Sequence, residues 1–321
     1  MKPVWVSAPG SFHERFIAAY LRGFLRVAFR PLIGPPWGVQ AQRRVVNLLS
    51  WCMPGGSGTF SYSLMSRGVS IQVTVPVEGD AGGVILYLHG GAFCLGSAHS
   101  HRSISTRLAA AAGLPVWLPA YRLAPEHPYP AALDDAMATY LGLLDVGYAP
   151  ERIVLAGDSA GGALALALAL RLREDGYAAP AALALMSPVT DPSLSGPSIH
   201  EQAGADPMVR QDWLEQGLGW YAAPTHTPSC TPLEQHLGDL PPMFIQVGER
   251  EILLSDSIRL AEHAQACGVP CQLEIHAGRW HVFQLQAAYL PSIRLAVQTF
   301  ARFARESATR FPSSTHDRPP Q

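Results

Sequence analysis

The sequence contains few charged residues, and their charges nearly cancel. Charged side chains account for 15% of the 321 residues, and the formal net charge at pH 7 is −2. Proteins that bind a phosphate backbone use clustered positive charge, so this composition argues against nucleic acid as a partner. Hydrophobic residues make up 48% of the chain, which is typical of a globular protein with a sizeable core.

Long apolar runs are also missing. The richest stretch begins at Ala160 and is interrupted by Arg171, short of the roughly 18 apolar residues that a membrane span needs. The first 34 residues lack the continuous apolar core and the small-residue cleavage site of a secretory signal. We therefore expect no membrane span and interpret the N-terminus as part of the mature protein.

Cysteine pairs and the common cofactor motifs are absent. The five cysteines are odd in number and never spaced as C-x-x-C, so neither a disulfide framework nor a zinc site is indicated. The motifs HExxH, GxxxxGK[ST] and GxGxxG do not occur, which removes the usual metalloprotease, P-loop and dinucleotide-binding classes. We expect no metal, no organic cofactor and a reducing, cytoplasmic setting.

Short apolar segments alternate with helix-like segments from residue 68 to residue 191. Strand-like VSIQVTVPV, VILYLHGG, LPVWLPAYRL, RIVLAGD and AALALMSPV are joined in part by helix-like stretches such as AALDDAMATYLGLLD. This alternation predicts βαβ units and a mainly parallel sheet covered by helices. The runs at 84–88 and 153–156 are apolar throughout, so we expect them to be central strands.

Two segments interrupt this pattern and predict a cap on a single α/β domain. After Asp191 the alternation is lost in a stretch rich in turn formers and aromatics, and it resumes at PMFIQVG, DSIRLAEHAQACG and CQLEIH. The interruption indicates an insertion at about 195–225. Residues 306–321 are polar and rich in proline and serine, and we expect this tail to be disordered.

A helical period also marks the stretch from His13 to Arg30. Phe16, Tyr20 and Phe24 fall on one side of it, and arginines recur at four-residue spacing. We expect its aromatic face to pack over the domain. Contact of this basic amphipathic helix with a membrane surface is the alternative.

The segment RIVLAGDSAGG places one serine in a sharp turn between a strand and a helix. Gly157 and Gly161 flank Ser159 because side chains there would collide where strand and helix pack closely. The turn holds the hydroxyl outward at the sheet edge and brings the first helical amides, including that of Ala160, beside it. This geometry predicts a nucleophile for acyl transfer.

A second turn, HGGAF at 89–93, directly follows the apolar strand at 84–88. Consecutive glycines allow two backbone amides to point into one cavity, which an oxyanion-binding site requires. A merely flexible loop is the alternative interpretation.

Four blocks of the sequence together resemble the hormone-sensitive lipase family of α/β-hydrolases, in particular its bacterial esterases. They are HGGAF at 89–93, YRLAPEHPYPAALDD at 121–135, GDSAGG at 157–162 and HVF at 281–283. The resemblance implies an α/β-hydrolase fold with a cap formed by about 1–50 and about 195–225. It further implies that Ser159 is the nucleophile, that the amides of Gly90, Gly91 and Ala160 form the oxyanion hole, and that His89 is structural.

A serine nucleophile requires a base, which an acid must orient. His281, in a turn after strand-like CQLEIH, is the candidate base that the family's closing His-x-Phe also selects, and His276 is the alternative. Glu251 lies where many family members carry the aspartate of Asp-Pro-Leu. Glu249 and Asp256 remain alternatives for the acid.

These residues predict a carboxylesterase that hydrolyses short- to medium-chain esters through an acyl-enzyme. We expect an apolar substrate wall built from the cap aromatics Phe16, Tyr20, Phe24, Trp213, Trp220 and Tyr221. A lactone or amide hydrolase on the same residues is one alternative, and a non-catalytic small-molecule receptor on the same scaffold is another. A homodimer, formed through a sheet edge or the helix around 292–305, would fit the resemblance.

Overall fold

The computed structural model describes residues 2–8, 11–79, 82–224, 227 and 230–310, and it is built around one nine-stranded sheet. The strands are β1 (Val4–Val6), β2 (Thr59–Ser66), β3 (Val69–Pro76), β4 (Val84–Leu88), β5 (Val116–Pro119), β6 (Ile153–Asp158), β7 (Ala182–Met186), β8 (Met243–Gly248) and β9 (Cys271–His276). Their order across the sheet is β1-β9-β8-β7-β6-β4-β5-β3-β2.

The sheet is mainly parallel, as predicted. Strands β5, β4, β6, β7, β8, β9 and β1 pair in parallel, and only the β2–β3 and β3–β5 pairs are antiparallel. Strands β4 and β6 are buried along their whole length, because helices cover both faces of the centre. Leu88 at the end of β4 pairs with Gly157, so the turns after the two strands emerge side by side.

The helices complete the layers. They are α1 (Phe12–Phe24), which continues as a π-helical turn (Leu25–Phe29), α2 (Val39–Ser50), α3 (Arg102–Ala112), α4 (Ala131–Asp145), α5 (Ala160–Glu174), α6 (Ser198–Glu201), α7 (Gln211–Tyr221), α8 (Leu254–Ala266) and α9 (Pro291–Thr309). Helix α5 is buried along most of its length because its alanines, glycines and leucines fit between the sheet and α4. Helices α3 and α9 pack against each other.

The N-terminal segment and the insertion contact each other directly. Arg26 donates from Nη2 to the carbonyl oxygen of Gly204 at 2.6 Å, and Arg30 donates to that of Ala203 at 2.9 Å. The rings of Phe29 and Trp213 meet edge to face at 6.3 Å between centroids. Gln42 of α2 donates to Gln216 of α7 at 2.8 Å, so α2, α7 and the π-helical turn after α1 are connected.

Two boundaries differ from the predicted ones. Residues 4–6, predicted to belong to the cap, form strand β1 beside β9, because their backbone groups complete the hydrogen bonds of that sheet edge. The predicted tail is helical through Thr309, since Ser307 and Ala308 continue the buried face of α9 and Arg152 donates to the Ala308 carbonyl at 3.0 Å. Residues 311–321 of that tail lie outside the described residues.

The predicted packing of α1 is wrong. Phe16 and Tyr20 are 63% and 67% exposed, whereas Leu21 and Leu25 face the interior. The segment is apolar on two sides, and the aliphatic side is the one that packs. Among the described residues no helix is both long and apolar enough to cross a membrane.

Candidate active site

Ser159 occupies a strained turn between β6 and α5. Its backbone has φ of +52° and ψ of −123°, a conformation that side-chain-bearing residues rarely adopt. A Cβ atom at Gly157 would collide with the carbonyl of Gly161, and one at Gly161 would collide with the carbonyl of Leu88. The two glycines are therefore required by the close approach of strand and helix.

Backbone hydrogen bonds hold this turn against the neighbouring strand. The Ser159 N–H donates to the carbonyl of Met186 at 2.8 Å, and the Ser159 carbonyl accepts from Val189 at 3.2 Å. The next residue, Ala160, begins α5, and its amide has no acceptor among the described residues. The unpaired amide and the helix dipole make this point favourable for a developing negative charge.

The turn after β4 corrects one predicted oxyanion donor. The Gly90 N–H donates to Oδ1 of Asp158 at 3.0 Å, so it is already occupied. Asp158 is buried and needs donors to stabilise its charge, which explains why it takes this amide. Gly91 and Ala92 follow with φ of +120° and +50°, and within the described residues neither of their amides has an acceptor.

A buried polar network supports this turn, and sequence reasoning missed it. Asp158 also accepts from the Tyr87 hydroxyl at 2.7 Å and lies 3.4 Å from Nε2 of His101. His101 stacks on His89 at 5.2 Å, and the Tyr121 hydroxyl donates to the His89 carbonyl at 2.6 Å. Although burial opposes it, His101 and Tyr87 hold the pKa of Asp158 below its usual value.

His89 has the structural position that the resemblance implies. Burial, together with the neighbouring His101, lowers the pKa of His89 to about 3, so the ring is neutral near pH 7. Its other ring face stacks on Tyr121 at 4.3 Å. A neutral histidine clamped between two rings is fixed in place and holds the turn after β4.

His281 lies beside a fully buried carboxylate. Its Nδ1 is 3.5 Å from Oε1 of Glu251, and the other oxygen of Glu251 accepts from the Ser187 hydroxyl at 2.9 Å and from the Gly248 N–H at 3.1 Å. These donors fix the carboxylate, so that it can orient the imidazole ring with Nε2 directed elsewhere. Burial alone would lower the pKa of His281, but the hydrogen bond and charge of Glu251 raise it.

The alternative acids and the alternative base have other partners. Glu249 accepts from the Gly278 N–H at 2.7 Å, and Asp256 accepts from the N–H groups of Thr190 and Asp191. Neither carboxylate has a contact with His281 among the described residues. His276, at the end of β9, lies 3.3 Å from Glu274 and does not line the cavity described next.

Ser159 and His281 line the same cavity, which has a volume of about 340 Å³. Of the six aromatics expected to form a substrate wall, Tyr20, Phe24 and Trp213 line the cavity, whereas Phe16, Trp220 and Tyr221 do not. Phe16 points away from the domain, and the ring of Tyr221 stacks on that of Phe93 at 3.9 Å. Most other lining residues are aliphatic, among them Ile17, Leu21, Leu25, Val46, Leu49, Leu95, Met208 and Leu285.

Asp206, from the insertion, is a second buried carboxylate whose charge acts on His281. It accepts from the N–H groups of Met208 and Val209, and its other oxygen accepts from Ile252, next to Glu251, at 3.1 Å. Burial raises the pKa of Asp206 to about 6, and its charge contributes to the raised pKa of His281. Sequence reasoning missed this residue, because its link to the site is a bond from the backbone amide of Ile252, which is 46 residues away in the chain.

The arrangement has the parts of an acyl-transfer site. It combines a serine in the turn after a central strand, unpaired amides close to that turn, and a histidine beside a buried acid. No group of three or more His, Cys, Asp or Glu side chains in the described part of the chain is placed to hold a metal ion.

Comparisons with known proteins agree with this geometry. Residues 85–285 match a family model described as alpha/beta hydrolase fold. An esterase of Acinetobacter venetianus is 38% identical over 72% of this chain and 77% of its own, and a putative acetyl-hydrolase of Mycobacterium tuberculosis is 34% identical over 86% and 90%. The crystal structure of an esterase from the bacterial hormone-sensitive lipase family aligns with a TM-score of 0.86 and 34% identity, covering 94% of this chain and all of that one.

Proposed function

Because the chain belongs to the hormone-sensitive lipase family of α/β-hydrolases, we propose that it is a serine carboxylesterase acting on short- to medium-chain esters. One observation carries the proposal. The strained Ser159 shares an apolar cavity with His281, whose Nδ1 faces the buried Glu251. This is the constellation that activates a serine hydroxyl toward an ester carbonyl.

In the proposed first step, His281 takes the Ser159 proton on Nε2 as the serine oxygen attacks the ester carbonyl. The negative charge that develops on the carbonyl oxygen is stabilised by the amides of Gly91 and Ala160, with the Ala92 amide in the place first assigned to Gly90. The protonated His281 then donates its proton to the departing alcohol, leaving an acyl group on Ser159.

In the second step a water molecule gives a proton to His281 and attacks the acyl carbonyl. His281 returns that proton to the Ser159 oxygen as the bond from this oxygen to the acyl carbon breaks, which releases the acid. In both steps the imidazole passes through its cationic form. Glu251 and Asp206 stabilise that cation, which is why they raise the pKa of His281. The oxygens of Asp206 accept from backbone amides, so this residue affects His281 through its negative charge and not through a hydrogen bond.

The cavity sets the proposed substrate class. Its volume of about 340 Å³ and its aliphatic and aromatic lining suit a modest apolar acyl or alcohol group. The relatives named esterase and acetyl-hydrolase support the same chemistry. We also propose a cytoplasmic setting, supported by five cysteines that are all free thiols.

The first test is hydrolysis of p-nitrophenyl esters from acetyl to palmitoyl by the wild type and by Ser159→Ala. We expect turnover of the shorter esters that is lost in the variant, with no change in the melting temperature that would indicate unfolding. Turnover of lactones or amides alone would move the assignment to those substrates. Binding of small ligands by folded protein without any turnover would favour the receptor.

A further inference from the structure

Helix α1 presents an apolar face to solvent along its whole length. The outer stripe, as we call this face, consists of Phe12, Phe16, Tyr20, Phe24 and Val27, at spacings of four and three residues. Phe12 and Val27 are each 77% exposed. The opposite face already packs against the domain through Leu21 and Leu25, so the outer stripe contributes nothing to the core.

The outer stripe is continuous with the cavity that holds Ser159. Tyr20 and Phe24 belong to the stripe and also line the cavity. On α2 and the residue pair that follows it, Leu49 and Cys52 line the cavity, and their neighbours Leu48 and Trp51 are each 70% exposed. An apolar surface resting on these side chains would therefore lie against the cavity wall.

A row of arginines borders the stripe. Arg15, Arg22 and Arg26 follow one another at helical spacing beside it, and within the described residues none of them forms an ion pair with a carboxylate. Arg26 donates to backbone carbonyls, which leaves its charge uncompensated. The helix therefore carries cationic side chains along one border of its apolar face.

The charge of the whole chain is divided unevenly around this helix. The first 51 residues contain seven Lys and Arg residues and one acid, Glu14, which is buried against Arg279. The rest of the chain contains 16 basic and 24 acidic residues. The apolar surface thus lies on a cationic segment of a chain whose formal net charge is −2.

We propose that the outer stripe and its arginine row dock on an anionic lipid surface, with the cavity facing the lipid. Aromatic and aliphatic side chains enter the boundary between headgroups and acyl chains, and arginines bind the anionic headgroups. A two-fold contact between copies would instead bring two cationic rows together, which disfavours a second copy as the occupant. The hydrolysis of docked esters at Ser159 rests on the proposed function. The docking itself does not depend on it.

The test is co-sedimentation of the full chain with vesicles of phosphatidylcholine alone and of phosphatidylcholine with phosphatidylglycerol. We expect binding to the anionic vesicles to be at least about tenfold tighter, and to weaken as salt rises. Phe16→Ser with Val27→Ser should weaken it at least about tenfold, because both side chains are exposed and lie outside the cavity lining. Arg15→Gln should weaken it about fivefold.

Matched controls come from α9, where Leu295 is 63% exposed and Arg302 is exposed without an ion pair among the described residues. Leu295→Ser with Arg302→Gln should bind vesicles as the wild type does. All variants should hydrolyse dissolved p-nitrophenyl acetate at the wild-type rate, which shows that they are folded and that the site is intact.

The outcomes separate the two proposals. Equal binding by the wild type and the stripe variant, or no binding at all, would overturn the docking surface. A wild-type dimer that dissociates in the stripe variant without vesicle binding would identify the stripe as an interface between copies. Vesicle binding that persists when no ester is hydrolysed would support the docking and overturn only the esterase.

Discussion

The turns after β4 and β6 and the helices that cover the cavity are built on different physical constraints. In the turns, a single added Cβ at Gly90, Gly157 or Gly161 would collide with backbone or with Asp158, so one residue type fits. On α1, a Cβ at Gly23 would meet nothing within 4 Å. Close backbone approaches therefore make the glycines of these turns recognisable in the sequence, whereas no such approach constrains Gly23.

The largest expected effect tests the acid at the reactive centre. Glu251→Ala should lower kcat by about 10³–10⁴-fold with little change in KM, because His281 loses the group that orients it and stabilises its cation. Steady-state kinetics with p-nitrophenyl butyrate measure this. Glu249→Ala is the matched control and should remain within a few-fold of the wild type. A large loss in the control, with Glu251→Ala active, would transfer the acid role to Glu249.

Two glycine substitutions, one in the turn after β4 and one on α1, compare the two regions directly. Gly91→Ala should lower kcat by about 10²–10³-fold, because φ is +120° there and a Cβ would collide with the Leu95 carbonyl, which displaces an oxyanion donor. Gly23→Ala should leave kcat unchanged and stabilise the fold by about 0.5–1 kcal/mol, since an exposed helix favours alanine. Steady-state kinetics give kcat for the two variants, and thermal melting gives the change in their stability. Equal kinetic losses would contradict the proposed difference between turn and cap.

The pH profile tests Asp206, a carboxylate of the insertion that accepts from the amide of Ile252, next to Glu251. His281 acts as a base only when neutral, and its raised pKa places the acid limb of kcat/KM above the ordinary histidine value. Asp206→Asn removes a negative charge that stabilises the imidazolium, so the pKa of His281 falls and the acid limb should move to lower pH. Asp212→Asn, an exposed residue paired with Arg210, should not move it. An upward shift in Asp206→Asn would refute the electrostatic role.

The smallest expected effect is a change in KM, and it distinguishes two aromatic residues of α1. Tyr20→Ala should raise KM for p-nitrophenyl hexanoate roughly three- to tenfold, because Tyr20 lines the cavity. Phe16→Ala, one turn away on the same helix, should leave KM for this dissolved substrate unchanged. Equal effects of the two substitutions would mean that the cavity extends further along α1 than its lining residues indicate.

Much of the fold could be predicted because its central strands are short apolar runs. Strands β4 and β6 are buried on both faces, so their sequences are apolar apart from Tyr87 and the terminal Asp158. Strand β1 has only three residues and β2 is exposed at most positions, which explains why neither was predicted. An edge strand of this kind is stabilised by its neighbour's backbone, which no local pattern records.

The parts of the candidate site that depend on backbone turns could be predicted from the sequence. The positions of Ser159 and His281 in one cavity followed from turn motifs, and that of Glu251 beside His281 from the resemblance to the family. The use of the Gly90 amide by Asp158 could not be predicted, because the sequence does not show which of two adjacent amides meets a carboxylate. The roles of Phe16 and Tyr221 depend on which way a helix is rotated, which an apolar period alone does not determine.

Strand β1 has a consequence for the solubility of shortened forms of the chain. Val4, Trp5 and Val6 run parallel to β9 and occupy its hydrogen-bonding edge. Removal of these three residues would leave a row of unpaired backbone groups on β9, which is a template for intermolecular pairing. A protein trimmed at its N-terminus would then aggregate through the sheet even with every catalytic group in place.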